Sequence, residues 1–168
     1  MYYGVISDSH DNFDNLNYAI NVLKERKILT CFHLGDFCAP TIVSTMLNDN
    51  KITWICVWGN VDGAKVKIMQ DHCGNERFNI VSESFREFET PEGKVFLTHY
   101  PLLARIAAKS GMYIAAFYGH THIKHIEYIN GALLANPGEI VGFKTKKPTF
   151  GIWNSKTNKI EVIPIKPN

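Results

Sequence analysis

The stretch Gly119-His120-Thr121-His122 places two imidazoles on either side of one threonine. Such a pair can hold a metal ion or merely end a strand. In an extended chain residues i and i+2 share a face, so the spacing alone does not decide. Similar polar groups recur at Asp8-Ser9-His10, Gly35-Asp36, Gly59-Asn60-Val61-Asp62 and Thr98-His99, each at the end of an apolar run. Together they offer Asp8, His10, Asp36, Asn60, His99, His120 and His122. This is a set of carboxylate, imidazole and amide without thiolate, which suits Mn²⁺, Fe²⁺, Zn²⁺, Co²⁺ or Ni²⁺. Seven donors are too many for one ion and suit two, and two ions about 3.5–4 Å apart can clamp a phosphate.

Each residue alone also has an ordinary reading. Asp8 can serve as an acid before a helix, although Asp11 or Asn12 is the better cap. Asp36 can be a turn residue after Gly35, Asn60 can fill a left-handed position, and His99 can end a half-buried strand. The joint pattern carries the argument, because five successive strand ends bear such groups.

The elements that position these groups are legible from periodicity. Residues 2–7, 29–34 and 52–58 read as strands apolar on both faces. Residues 12–27 read as a helix with Leu16, Ala19, Ile20 and Leu23 on one side, and Pro40 opens a second helix carrying Ile42, Val43, Met46 and Leu47. Strands buried on both faces and separated by helices indicate a parallel sheet, which binds ligands beyond the carboxyl ends of its strands. The second half is richer in strands. A hairpin is expected over residues 85–99, a short helix over 102–110 and a strand over 113–118. A second hairpin turns at Asn130-Gly131, and a last one occupies 149–165.

Composition narrows the class. The 168 residues suit one domain spanning 1–168, with 45% apolar and 20% charged residues. The net charge of +2 gives no strong nucleic-acid signature, and the run Lys144, Lys146, Lys147 reads as a solvated turn. No apolar stretch approaches the roughly 20 residues needed to cross a bilayer. The N-terminus lacks the pattern of a signal peptide, so a cytoplasmic location is expected. Cys31, Cys38, Cys56 and Cys73 form no C-x-x-C pair and are expected to be reduced.

The motifs in their order, closing with Asn136-Pro137-Gly138, resemble the calcineurin-like metallophosphoesterases. The likeness is nearest to the small YfcE-type phosphodiesterases, relatives of the retromer subunit Vps29, and it runs from residue 8 to 138. It implies a four-layer α/β/β/α sandwich of two mixed sheets flanked by helices. It also implies two divalent ions, with manganese first among the metals and nickel, iron, zinc or cobalt as alternatives. By motif, Asp8, His10 and His122 would hold one ion, Asn60, His99 and His120 the other, and Asp36 would bridge them. Asp36, Asn60 and His99 would act in catalysis. Asn60, Asn136 and Gly138 would contact substrate, although the Asn136-Pro137-Gly138 stretch also reads as a tight turn.

Two positions depart from the family pattern. Val61 stands where many members have a histidine that protonates the leaving group, and His99-Tyr100-Pro101 replaces His-Gly-His. The expected function is hydrolysis of phosphodiesters with good leaving groups, on a small phosphoester substrate. The alternative is a metal-binding, Vps29-like interaction module with little turnover. A homodimer or higher oligomer is compatible with either. Residues 63–75 and 100–111 are the expected pocket loops.

Overall fold

The computed structural model describes residues 1–48, 51–72, 74–80 and 84–166. The first half runs β1 (Tyr2–Ile6), α1 (Phe13–Glu25), β2 (Thr30–His33), α2 (Pro40–Leu47), β3 (Thr53–Cys56), α3 (Lys65–Asp71) and β4 (Phe78–Ile80). The second half runs β5 (Phe85–Thr90), β6 (Gly93–Thr98), α4 (Pro101–Lys109), β7 (Ala115–Phe117), β8 (His125–Ile129), β9 (Ala132–Asn136), β10 (Thr149–Asn154) and β11 (Lys159–Pro164).

Local chemistry explains the main boundaries. The Asn12 side chain caps α1 by accepting from the amide of Asn15 at 3.0 Å. Leu16, Ala19, Ile20 and Leu23 form its buried face. Pro40 sits in the first turn of α2, where its missing N–H has no partner to lose. The turn at Asn130 and Gly131 has φ values of 51° and 87°, as a type I′ hairpin requires.

Two mixed sheets result. One has the order β11-β10-β1-β2-β3-β4, with β1 to β4 parallel, and the other has the order β5-β6-β7-β9-β8. Tyr3, Val5, Phe32, Ile55, Leu97, Phe117 and Trp153 fill the space between the sheets. The alternate strand residues Ile6, Cys31, Trp54 and Cys56 meet α1, α2 and α3 on the outer face of the first sheet. Ala104, Ala107 and Ala108 of α4 cover the second sheet against Phe96, Ala116 and Leu134. The arrangement is the expected α/β/β/α sandwich.

Helix α3 and strand β4 were not anticipated. Only Ile68 of α3 is buried, so its sequence carries no clear apolar stripe. Cys31 and Cys56 are buried free thiols and Cys38 is half-buried and free, whereas Cys73 lies outside the described residues. Among the described residues no helix is long and apolar enough to cross a membrane.

Candidate metal centre

The parallel registers of β1, β2 and β3 bring the three polar loops after them to one edge. The pairing of β6 with β7 does the same for the second sheet. Backbone bonds lock the loops together: the Asp8 amide donates to Gly35 O at 3.1 Å, His10 to Asp36 O at 3.0 Å, and Gly119 to His99 O at 3.2 Å. A further bond joins the sheets, from the His120 amide to Asp8 Oδ2 at 3.2 Å.

The loops are strained. Asp8, His10, Asp36, His120 and His122 all have positive φ, between 39° and 68°. Non-glycine residues adopt this conformation at a cost, and such outliers concentrate at functional sites. The pair His120 and His122 is therefore not an extended segment with both rings on one strand face. It is a left-handed loop that sends the two rings to different neighbours.

Asp8, His10, Asp36 and His122 each place one donor atom within 4.8 Å of the others. His122 Nε2 lies 3.3 Å from Asp8 Oδ1, and His10 Nε2 lies 3.6 Å from Asp36 Oδ2. On the other side, His99 Nε2 lies 3.0 Å from Asn60 Oδ1 and 3.4 Å from Asp36 Oδ2. His120 Nδ1 is 2.7 Å from the same Asn60 oxygen. Asp36 Oδ2 thus faces a histidine from each group. All seven residues read from the sequence converge.

Several of these atoms face one another as acceptors. His99 Nδ1 donates to Leu34 O at 2.7 Å, so in the neutral ring Nε2 carries a lone pair toward two oxygens. His122 Nδ1 donates to Glu139 Oε2 at 2.6 Å, which turns its Nε2 toward Asp8 in the same way. Asp8 Oδ1 and His10 Nε2 are buried without a hydrogen-bond partner among the described residues. Lone pairs converging in a buried space call for positive charge, and divalent ions fit. The electrostatics agree. Burial raises the Asp8 carboxyl above its ordinary range despite His99 and His122. Burial also works on Asp36, but His99, the Val61 amide and His10 together hold its carboxyl below the ordinary range. The His99 ring is shifted up, since Asp36 and Asp8 outweigh its burial.

Three further residues support the centre. Glu139 is fully buried, takes the His122 ring, and accepts from the amides of Phe143, Lys144 and Thr145 and from the Thr145 hydroxyl. Burial would raise its carboxyl, but these donors hold it at about 2. Asp62 accepts from the amides of Asp36, Cys38 and Gly59 at 3.0, 2.8 and 2.7 Å, which fixes the loop that carries Asp36. His33 accepts from the Gly35 amide and donates to Ser9 Oγ, and burial lowers it to about 3, so it stays neutral. Asp62 was visible in the Gly-Asn-x-Asp motif without a role. Glu139 carried no local signal.

Asn136 and Gly138 do not sit where substrate contact was expected. Both are buried. Asn136 Nδ2 donates to Gly119 O and Thr121 Oγ1, and its Oδ1 accepts from the Gly138 amide. Asn136 therefore braces the loop of His120 and His122. His125 lies outside the cluster and meets the Tyr118 hydroxyl at 2.9 Å.

A cleft of about 520 Å³ opens over the centre. His10, Asp36, Asn60, His120 and His122 form its floor, and Val61, Val141, Phe143 and Lys144 form its walls. The expected pocket loops are displaced from it: much of 63–75 is α3, much of 100–111 is α4, and the wall comes from Val61 and from 141–144. Gly59 packs so closely on Asp36 that a Cβ there would overlap Asp36 Oδ1 and its amide nitrogen. Gly59→Ala is expected to displace Asp36, destabilise the fold by about 1–3 kcal/mol and lower metal content. Thermal unfolding with elemental analysis of the purified variant checks this.

The comparisons agree with the geometry. The chain is 32% identical over 165 residues to phosphodiesterase MJ0936 of Methanocaldococcus jannaschii, covering 97% of this chain and 98% of that one. A solved structure described as a novel archaeal phosphodiesterase superposes with a TM-score of 0.88 at 32% identity, covering 98% of this chain and 99% of that chain. The phosphoesterase YfcE of E. coli superposes with a TM-score of 0.67 at 17% identity, covering 99% and 100%, a likeness of fold. The family model of the calcineurin-like phosphoesterase superfamily domain matches residues 1–158, and the chain belongs to that metal-dependent family.

Proposed function

We propose that the chain is a dimetal phosphodiesterase that hydrolyses diesters with good leaving groups. The observation that carries this is the position of Asp36 Oδ2 between His10 Nε2 and His99 Nε2, at 3.6 and 3.4 Å, on the floor of an open cleft. Asp8, His10 and His122 would hold one ion, Asn60, His99 and His120 the other, and Asp36 would serve both. Mn²⁺ suits this oxygen-and-nitrogen set. Bound there, the ions would neutralise phosphoryl charge and make water a stronger nucleophile at neutral pH.

The protein's own groups set the rest of the reaction. Leu34 O and Glu139 hold the rings of His99 and His122 in the orientation that presents Nε2 to the centre. Lys144 on the cleft wall adds positive charge for an anionic diester. Val61, 45% exposed in the same wall, offers no proton to the departing oxygen. The leaving group must then depart as an anion or take a proton from water.

The test is a series of aryl and alkyl diesters assayed with Mn²⁺. The rate should fall steeply as the leaving-group pKa rises, and a chelator should abolish it. Val61→His should raise turnover of alkyl diesters by about 10²-fold and change aryl esters little. A rate insensitive to the leaving group would overturn this mechanism. Exposed Val61 also favours the second reading, an interaction module, and that reading requires no metal-dependent hydrolysis of any diester.

A further inference from the structure

A second cleft of about 530 Å³ adjoins the first, and His122 lines both. The segment from Phe143 to Lys147 forms the partition. Phe143 and Lys144 face the metal centre, while Thr145, Lys146 and Lys147 face the second cleft. Lys124, on the loop before β8, completes a triad of lysines with Lys146 and Lys147. Among the described residues no acidic side chain lines this cleft. Among the described residues neither these three lysines nor Lys144 makes an ion pair, although Arg26, Lys67, Lys94 and Arg105 all do. Lys146 instead lies over the Phe143 ring at 5.1 Å. Phe143 is 71% exposed at the boundary of the two clefts.

Four unpaired cations at one corner are a local concentration in a chain whose net charge is only +2. Clefts lined by one sign of charge focus their field on ligands of the opposite sign. The segment is also firmly held, because the buried Glu139 carboxylate takes the amides of Phe143, Lys144 and Thr145. Lys144, Lys146 and Lys147 therefore stand on a held ridge beside the centre.

We propose that the second cleft binds a further phosphate carried on one arm of the substrate, so that the enzyme prefers diesters bearing a second phosphate to simple diesters. The scissile phosphate lies over the metal centre. The arm passes Phe143, and its second phosphate meets the ammonium groups of Lys124, Lys146 and Lys147. This inference rests on the proposed phosphodiesterase reading.

The experiment is calorimetric titration of the full chain loaded with Mn²⁺. Thymidine 3′,5′-bisphosphate is compared with thymidine 5′-monophosphate. The bisphosphate should bind about tenfold more tightly, the effect of one charge-assisted contact. The gap should narrow as salt rises and should close in the Lys124→Ala/Lys147→Ala double variant. Inorganic phosphate added to the monophosphate should not reproduce it. Equal affinities, a gap that survives the double variant, or a gain reproduced by free phosphate would overturn the proposal. A parallel hydrolysis assay separates the two readings. Preserved tenfold discrimination without hydrolysis of any diester overturns the catalytic reading and keeps the cleft, whereas hydrolysis without discrimination does the reverse.

Discussion

Asp36→Asn should reduce metal-dependent diester hydrolysis by about 10³-fold or more while leaving the fold in place. The amide has the shape of the carboxylate and keeps an oxygen for the Val61 amide, 3.0 Å away. It lacks the charge shared by the two histidine groups. Loss of that charge would weaken both proposed ion sites together, and ions in such sites supply several kcal/mol of transition-state stabilisation, where each 1.36 kcal/mol is a factor of ten. Elemental analysis should show fewer bound ions per chain, and circular dichroism should be unchanged. Turnover within tenfold of the parent, with full metal content, would sink the bridging role.

Glu139→Gln is the second large effect, and it acts from behind the centre. Five donors converge on the Glu139 carboxylate: the His122 ring, three backbone amides and the Thr145 hydroxyl. A carboxamide turns one of its acceptor positions into an NH₂ group facing other donors. The buried mismatch should cost about 1–3 kcal/mol. For a chain of this length that is roughly 2–12 °C in melting temperature. Because the His122 ring loses its orienting partner, metal affinity should also fall about 10–100-fold. Unchanged metal affinity would show that Glu139 only staples the loop. The parent should also show the carboxylate in its acid unfolding. The folded pKa of about 2 lies below the ordinary 4.5. The contribution of Glu139 is therefore complete above about pH 4.5 and is lost as pH falls toward 2. An acid titration of stability should lose that component in Glu139→Gln.

The contrast between Asp36 and Glu139 marks what the sequence can reveal. Asp36 ends an apolar run, and the other candidate clusters do the same, Asn60 and His120 also beside glycine, so side-chain type and strand end coincide. The sheets carry a local signal through alternation and helical spacing. Glu139 follows a turn, and its worth depends on His122 and on residues 143–145 arriving around it in space. Asp62 is similar, since its partners are backbone amides that no sequence pattern displays. The family resemblance alone makes Asn136 a substrate contact, but its side chain is spent on Gly119, Thr121 and Gly138. Helix α3 was missed because Val66 and Met69 are exposed, which breaks the apolar stripe that identifies a surface helix.

The bond from the His120 amide to Asp8 Oδ2 spans 112 positions of the chain and joins the two sheets. The ligand residues lie on both sides of that span, so neither half of the polypeptide assembles the site alone. Closing so long a loop belongs to the late, non-local part of folding. A nascent chain ending before residue 120 would carry Asp8, His10, Asp36, Asn60 and His99 but not the loop that completes them. Ion capture at the proposed centre would thus report finished assembly, and a chain whose sheets fail to dock would lack the site as well as the core.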